Sequence, residues 1–272
     1  MRLLFCGDVM GRSGRDAITS NIPELRKKLS LDFVAINGEN AAGGYGITEK
    51  LCQDFYSAGV DCITTGNHVW DQRELIGTID GDPRLLRPLN FPKGTPGRGA
   101  NTYTTRTGRK VLVVNVMTRL FMDALDDPFA GLEALFAQQR LTATAHAIIV
   151  DIHGEATSEK MALGHLCDGR ASMAVGSHSH VPTADAQILP KGTAYQTDAG
   201  MCGDYDSVIG MKKETAIARF VRKLPGERLL PAEGEATLCA VFVETDDATG
   251  LAKRVAPVRI GGRLARAWPE QA

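Results

Sequence analysis

The chain has 272 residues, of which 43% are hydrophobic and 23% are charged, a composition that predicts a packed core and excludes a disordered chain. Its 31 basic residues are offset by 32 acidic ones, which excludes a global positive field able to bind long nucleic acid or anionic lipid. No apolar run approaches the roughly 20 residues that cross a bilayer, and the apolar residues 3–6 are too few for a secretory signal.

Length and cysteine spacing predict one cytoplasmic domain that spans residues 1–272. A chain of this length lies within the range in which an α/β fold forms a single unit. The six cysteines are scattered without a C-x-x-C pair, so we expect reduced, buried thiols. No contact with a membrane is expected.

Strand-like and helix-like segments alternate over the first two thirds of the chain, which indicates βαβ units around a mainly parallel sheet. After a first strand at residues 3–6, Ser13 with Asp16 three residues later predicts the start of a helix that runs to Pro23 or beyond. The next helix is expected to begin after Thr48 and to end near Gly59. Further along the chain we predict a strand at 111–116, a helix at 128–139 and a strand at 147–152.

The last third of the chain has a different pattern, with Gly-rich turns and two alternating segments. Residues 237–245 and 251–260 flank the turn 246–250, which predicts an antiparallel hairpin at a second layer or an edge of the same domain. Exposed edge strands in this hairpin would allow a homo-oligomer.

Five apolar segments change abruptly to polar residues at their ends, at 3–8, 33–40, 62–68, 147–153 and 174–180. Buried strands that all end in Asp, Glu, Asn or His predict one site at the carboxyl edge of a sheet. The candidate donors are Asp8, Glu39, Asn40, Asn67, His153, His178 and His180.

The donors are carboxylate oxygens, amide oxygens and imidazole nitrogens without a thiolate, a set that suits Mn, Fe or Zn. Seven donors exceed what one ion normally takes from a protein, so we predict a pair of metals. A carboxylate such as that of Glu39 bridges two cations that lie roughly 3.5–4 Å apart. The positive charge of two metal ions would balance the negative charge of a phosphate ester, so the protein would not need a basic surface to bind it.

Each of these residues also has a simpler interpretation. Asp8 caps a helix, Glu39, Asn40 and Asn67 form turns, and the two histidines of His178-Ser179-His180 are solvated. These interpretations leave unexplained why all of them end buried strands.

Three features near the predicted site remain open on sequence alone. Tyr45, in a glycine-rich loop at 43–46, either stacks on a base or lies in a plain turn. Arg12 either reaches a phosphate or is solvated, and the acidic loop at 198–206 either rims the pocket or contacts another subunit.

The ordered strand-end motifs resemble those of calcineurin-like metallophosphoesterases. More narrowly, the YmdB-like branch is similar in length, motif order and four longer strings, namely I-N-G-E-N-A-A-G-G-Y-G-I-T, T-G-N-H-V-W-D, D-I-H-G-E-A-T-S-E-K and G-S-H-S-H-V-P-T-A-D. The resemblance implies an α/β sandwich with a two-layer β-sheet core flanked by helices. It also implies two divalent or mixed-valence metals, Fe or Mn with Zn or Mg as alternatives, and phosphodiesterase activity on small substrates that include 2′,3′-cyclic nucleotides.

The resemblance also implies a role for each donor. One metal is assigned Asp8, Asn40 and His180, the other is assigned Asn67, His153 and His178, and Glu39 bridges the two. His68 is the implied catalytic acid, with Asp71 orienting it, although a helix-capping or metal-supporting role for His68 is the alternative. The sequence departs from the broader superfamily where the usual Asp-x-His reads Asp8-Val9-Met10 and where the usual second Asp is Glu39, so we infer that Asn40 replaces the missing histidine.

The predicted reaction is attack of metal-activated hydroxide on a small phosphodiester, with protonation of the leaving oxygen by His68. Two alternatives remain: a phosphomonoesterase of nucleotidase or phosphatase type, and a metal-dependent regulatory binding protein with little turnover.

Overall fold

The computed structural model describes residues 1–223 and 226–269, and within them two β-sheets are flanked by helices. The strands are β1 (Arg2–Cys6), β2 (Asp8–Val9), β3 (Phe33–Asn37), β4 (Cys62–Thr64), β5 (Leu85–Leu86), β6 (Ala100–Thr104), β7 (Lys110–Met117), β8 (Ala147–His153), β9 (Met173–Ser177), β10 (Gln187–Ile188), β11 (Ala194–Gln196), β12 (Met201–Asp204), β13 (Ala236–Thr245) and β14 (Ala252–Ile260). The helices are α1 (Gly11–Lys28), α2 (Glu49–Ser57), α3 (Leu75–Thr78), α4 (Pro128–Gln138), α5 (Thr157–Cys167) and α6 (Lys213–Arg222).

The first sheet has the strand order β2-β12-β13-β1-β3-β4-β5, with β14 paired to β13. Strands β1, β3, β4 and β5 are parallel, so their carboxyl ends meet at one edge. The second sheet has the order β10-β11-β9-β8-β7-β6, and its central strands β7, β8, β9 and β11 are parallel as well.

The two sheets share an apolar core. Phe5 and Phe33 of the first sheet belong to the same buried cluster as Val113 and Ile149 of the second. Burial of each such side chain contributes about 1.5–3 kcal/mol relative to its exposed state. The predicted α/β sandwich with a two-layer β-sheet core is therefore confirmed.

Helix α1 begins earlier than the sequence indicated, and the prediction that Ser13 caps it was wrong. The helix begins at Gly11, whose backbone N–H donates to the carbonyl of Asn40 at 3.0 Å. Ser13 lies inside the helix, where its hydroxyl donates to the carbonyl of Ala232 at 3.3 Å. Tertiary contacts with distant segments therefore replace the local capping pair, and the helix continues through Pro23.

The other predicted elements are confirmed. Thr48 caps α2 by accepting a hydrogen bond from the backbone N–H of Leu51, and the helix ends at Ser57. The strand and helix predicted at 111–116 and 128–139 correspond to β7 and α4.

The predicted hairpin forms with β13 and β14 antiparallel. Strand β13 also pairs with β1 and β12, so it lies inside the sheet and only β14 is an edge strand. The expectation of several exposed hairpin edges was therefore wrong. Over the described ranges, no helix has the length and apolar character that crossing a membrane requires.

Candidate metal centre

The candidate donors converge at one place, but that place lies between two sheets and not at the edge of one. In the first sheet, Asp8 begins β2 shortly after β1, and Glu39 and Asn67 follow the ends of β3 and β4. In the second sheet, His153 is the last residue of β8 and His178 follows β9. The expectation of a single sheet edge was therefore wrong. Because the sheets pack face to face with their parallel carboxyl ends on the same side, donors from both reach the same space.

His153 Nε2 lies at the centre of the first group of donors. It is 3.1 Å from Glu39 Oε1, 2.9 Å from Asn67 Oδ1 and 3.1 Å from His178 Nδ1. His153 and Glu39 are almost completely buried, with 0% and 1% of the residue surface exposed. Donor atoms about 3 Å apart are spaced as ligands are when each lies ~2.0–2.2 Å from a shared ion.

The hydrogen bonds behind the two rings decide which nitrogen is free in the neutral state. The Ser177 hydroxyl donates its proton to Asp151 Oδ1 at 2.6 Å, so it must accept from the N–H at His153 Nδ1, 2.9 Å away. In the neutral ring, Nε2 then carries no proton and its lone pair is free. Likewise, His178 Nε2 faces the carboxylate oxygen Oε2 of Glu155 at 3.3 Å, which favours a proton on Nε2, so Nδ1 of the neutral ring carries a free lone pair. Lone pairs without a proton between them repel, so this donor set fits a cation.

His180 Nε2 lies at the centre of the second group of donors. It is 3.2 Å from Asn40 Oδ1 and 3.9 Å from Asp8 Oδ1. His180 Nδ1 donates to the carbonyl of Ile209 at 2.8 Å, and the amide nitrogen of Asn40 donates to the carbonyl of Gly44 at 3.1 Å. These bonds leave Nε2 as the unprotonated nitrogen of neutral His180 and Oδ1 as the free oxygen of Asn40, and these two atoms face each other. All seven predicted donors therefore lie in two adjoining groups.

The ionisation of the buried groups also indicates a site for positive charge. Burial acts against charge on His153, but the carboxylate of Glu39 outweighs it and raises the pKa of His153 to about 9. Burial would raise the pKa of Glu39, but the attraction to His153 lowers it to about 2. Burial and the neighbouring His153 lower the pKa of His178 to about 3. The attraction that holds a proton between Glu39 and His153 equally favours a metal cation.

Asp151 supports the site from behind and was not among the predicted site residues. Its carboxylate is fully buried and accepts hydrogen bonds from Thr64 Oγ1 at 2.5 Å and Asn37 Nδ2 at 3.2 Å, in addition to that from Ser177. Burial raises the pKa of Asp151 to about 6. Thr64 and Asn37 belong to the first sheet and Asp151 to the second, so this carboxylate joins the sheets beneath His153. A charged residue within the otherwise apolar strand 147–153 was the available signal.

The segment that carries His178 and His180 has a strained backbone. Their φ angles are 98° and 65°, in the left-handed region that costs a non-glycine residue about 1–3 kcal/mol. A buried ion pair holds this segment, because Lys160 Nζ lies 2.8 Å from Asp198 Oδ2 and also donates to the carbonyl of Ser177 at 2.7 Å. Asp198 Oδ2 also accepts from the backbone N–H and hydroxyl of Ser179, at 3.0 and 2.8 Å.

This ion pair resolves part of the open question about the acidic loop. Asp198 is completely buried behind the histidine segment, so it does not rim the pocket. Burial opposes its ionisation, but the ammonium group of Lys160 holds the pKa of Asp198 below its ordinary value. Asp206 is half-buried and pairs with Lys213 at 2.8 Å. The Arg12 side chain is 74% exposed and lies 3.8 Å from Asp16, in agreement with the solvated interpretation.

We predict that Lys160→Met lowers the free energy of unfolding by about 3–5 kcal/mol, because it leaves Asp198 buried without a counter-charge. Urea denaturation measures this change. The matched control is Lys213→Met, which removes one of two cationic partners of Asp206, the other being Arg263 at 3.3 Å, and is expected to cost far less because this pair is solvated. The double change Lys160→Met with Asp198→Asn should recover part of the loss. Equal costs for the two single changes would refute a structural role for the buried pair.

His68 lies beside the donors. Its backbone N–H donates to Glu39 Oε2 at 3.1 Å, and its Nδ1 faces Asp71 Oδ2 at 2.8 Å. The ring opens onto a cleft of about 230 Å³ beside the candidate donors. The cleft is lined by Glu39, Asn40, Gly44, Tyr45, His68, Glu155, His178, Ser179, His180, Ile209 and Met211.

Position 66, directly before Asn67, has no room for a side chain and therefore requires glycine. A Cβ atom at Gly66 would lie 2.2 Å from His153 Nε2 and 2.4 Å from Glu39 Oε2, which is closer than atoms can approach. Any side chain at position 66 would therefore occupy the space in which the donors meet. In the T-G-N-H string, Gly66 lets the backbone approach His153 and Glu39 closely, and this places the next two residues, Asn67 and His68, beside them.

Comparisons with known proteins cover nearly the whole chain. The family model described as YmdB-like protein matches residues 4–258. A relative from Bacillus subtilis (strain 168), named 2′,3′-cyclic-nucleotide 2′-phosphodiesterase, is 48% identical over 260 residues, which are 96% of this chain and 97% of the relative. The similarity therefore includes every strand end that contributes a donor.

Two solved structures are similar over the same extent. A hypothetical protein from Thermus thermophilus is 42% identical with a TM-score of 0.89, and the match covers 97% of this chain and 100% of that one. A protein described as a novel phosphatase from Mycoplasma pneumoniae is 34% identical with a TM-score of 0.86, over 96% of this chain and 93% of that one.

Proposed function

The chain belongs to the YmdB-like protein family and is a hydrolase, and on that premise we propose that it is a dinuclear phosphodiesterase for small phosphodiesters, with 2′,3′-cyclic nucleotides as substrates. The observation that carries the proposal is the convergence of His153 Nε2, His178 Nδ1, Glu39 Oε1 and Asn67 Oδ1 beside the cleft. The name of the Bacillus subtilis relative supports the substrate class.

We propose the same division of ligands that the sequence motifs imply. Asn67, His153 and His178 would hold one metal and Asp8, Asn40 and His180 the other, in keeping with the two groups of donors. Glu39 would be shared between them. Oxygen and imidazole donors without thiolate favour Fe or Mn, with Zn and Mg as alternatives.

When bound, the metals would supply a hydroxide nucleophile at neutral pH and positive charge against the phosphate oxygens. The protein holds the phosphorus beside His68. As the bond from phosphorus to a ribose oxygen breaks, His68 donates the proton on Nε2 to that oxygen. To act as the acid, His68 would be the imidazolium with a proton on each ring nitrogen; Asp71, 2.8 Å from Nδ1, accepts the Nδ1 proton, fixes the ring and offsets its positive charge, and transfer of the Nε2 proton leaves a neutral ring.

A comparison of substrates tests the reaction type. We expect the Mn²⁺-loaded protein to hydrolyse bis(p-nitrophenyl) phosphate with a higher kcat/KM than p-nitrophenyl phosphate, and to convert 2′,3′-cyclic AMP to a monoester. A preference for the monoester would replace the proposal with a phosphomonoesterase. The absence of product from every substrate in excess metal would favour the regulatory binding protein.

Metal removal tests the cofactor. We expect elemental analysis to find about two ions per chain, and expect chelation to abolish turnover until Mn²⁺ or Fe²⁺ is restored. The chelated protein should remain folded, because the centre lies at the end of an apolar core and does not replace it. Fewer than about one ion per chain under metal-replete conditions would refute the dinuclear proposal.

We further propose that the chain is a single cytoplasmic domain that acts on small substrates. The apolar cluster shared by the two sheets supports a single domain for the described residues. Its six cysteines are buried and free, as expected in a reducing compartment. The remaining residues of the predicted 1–272 span, 224, 225 and 270–272, lie outside those that the structure describes. The edge strand β14 is a surface through which a homo-oligomer would form.

A further inference from the structure

Tyr45 lies on the wall of the cleft next to His68. Their ring centroids are 5.5 Å apart and their planes cross at 80°, an edge-to-face contact. Tyr45 is half-buried, and no role is assigned to it by the ligand set or by the proton transfer. The ring lines the same cleft as the candidate donors Glu39 and His178, so it is within reach of the organic part of a substrate whose phosphate is held by those donors.

The loop that presents Tyr45 is fixed by the metal centre and is not a plain flexible turn. Gly44 donates to the carbonyl of Asn40 at 3.1 Å and its own carbonyl accepts from the Asn40 side chain at 3.1 Å. Gln72 Nε2 donates to the carbonyl of Tyr45 at 2.7 Å. Gly44 and Gly46 have φ angles of 90° and 74°, which glycine adopts without strain. The ring is therefore held at a set position relative to the donors.

The surroundings of the Tyr45 ring are apolar behind and cationic in front. It packs against the buried cluster that contains Met10 and Met211. The guanidinium carbon of Arg228 lies 5.4 Å from the Tyr45 ring centroid. For comparison, Arg84 lies 3.5 Å from the ring centroid of Tyr56, in close stacking. Arg228 is therefore placed loosely beside Tyr45, and its exposed planar group is free to be displaced.

We propose that Tyr45 and Arg228 form the subsite for the nucleobase of a cyclic nucleotide, with the base stacked on the Tyr45 ring and covered by the guanidinium of Arg228. This inference rests on the proposed function. Stacking on aromatic and guanidinium planes is the common way in which proteins hold an unpaired base. Because every base has a π-face, the subsite distinguishes substrates with a base from those without one, and discriminates weakly among bases.

Two cyclic diesters that differ in the presence of a base test this subsite. We compare 2′,3′-cyclic AMP with glycerol 1,2-cyclic phosphate, which has the same five-membered phosphodiester and no base. Tyr45→Leu is expected to raise KM for 2′,3′-cyclic AMP about ten-fold or more, and to change KM for glycerol 1,2-cyclic phosphate less than two-fold. Tyr45→Phe, which keeps the ring, should restore most of the affinity for 2′,3′-cyclic AMP.

Variants of Arg228 distinguish stacking on the base from electrostatic attraction to the phosphate. If the guanidinium covers the base, Arg228→Lys and Arg228→Leu should raise KM for 2′,3′-cyclic AMP by similar factors of about three. Retention of the wild-type KM by Arg228→Lys alone would assign Arg228 to the phosphate and overturn its part of the proposal. Equal effects of Tyr45→Leu on the two cyclic diesters would overturn the subsite.

The outcome remains distinguishable from failure of the proposed function. If the wild-type protein hydrolyses neither cyclic diester, the phosphodiesterase proposal fails, and the subsite is then tested by calorimetric binding of 2′,3′-cyclic AMP to the metal-loaded protein. Weaker binding by Tyr45→Leu than by the wild type would support the subsite. Equal binding, or no binding by the wild type, would refute it.

Discussion

Glu39→Gln is expected to lower kcat/KM by roughly 10³-fold or more and to reduce metal content from about two ions per chain towards one or none. Glu39 is buried, with one oxygen 3.1 Å from His153 Nε2 and the other 3.1 Å from the backbone nitrogen of His68. Glutamine keeps the shape of the side chain but removes the negative charge that offsets the two cations. Its amide group also directs N–H donors at atoms that already act as donors or bind metal.

The control for Glu39→Gln is Glu155→Gln, which removes a negative charge from the rim of the same cleft. Glu155 has a side chain that is 54% exposed and accepts from His178 Nε2 at 3.3 Å, a bond that an amide oxygen still accepts. Glu155→Gln is therefore expected to cost about ten-fold in kcat/KM and to leave both metals in place. Elemental analysis and kinetics at saturating Mn²⁺ measure both variants. Full metal content and near-normal turnover in Glu39→Gln would refute a shared ligand at position 39.

His68→Ala is expected to lower kcat for 2′,3′-cyclic AMP by about 10²–10⁴-fold while two metals remain bound. The hydrogen bond from His68 to Glu39 comes from the backbone nitrogen, so removing the ring leaves this bond in place. The loss should be much smaller for bis(p-nitrophenyl) phosphate, because p-nitrophenolate departs without being protonated. A purely structural role for His68 would lower turnover of both substrates equally.

Asp71 supplies the graded control for His68. Asp71→Asn keeps a hydrogen-bonding group opposite His68 Nδ1 but removes its charge, so we expect a smaller loss than in His68→Ala. The order of the two effects, measured as kcat with 2′,3′-cyclic AMP, is the decisive result. Loss of metal from His68→Ala would contradict its assignment as the acid and would place it among the ligands.

The candidate donors could be predicted from the sequence because each is marked by its neighbours along the chain. Asp8, Glu39 and His153 follow or end apolar segments, and the alternation of strand and helix segments indicates that each lies at the carboxyl end of a parallel strand. When a whole strand is buried, the first polar residue after it is the first one that can contact solvent or a ligand. This pattern can be read without knowledge of any long-range contact.

The prediction that Ser13 caps α1 failed for the opposite reason. A serine followed by an acidic residue is a strong local signal, but Gly11 bonds to Asn40 and Ser13 bonds to Ala232, far away in the sequence. The sheet brings these partners together and they replace the local cap. Lys160 was missed as a supporting residue because only its contacts define its role, whereas Asp151 carried one signal, its charge within an apolar strand.

The sequence by itself determined the order of the elements and the position of the candidate donors at strand ends, because these depend on hydrophobic pattern and on neighbours along the chain. Only the tertiary structure decided that the donors come from two sheets, which nitrogen of each histidine is free, and which buried charges support them. The contacts responsible join residues far apart, such as Asn37 with Asp151 and Asp8 with His178, separated by 114 and 170 positions. Such pairs meet because two apolar faces pack together, and the pattern within each strand does not state which face meets which.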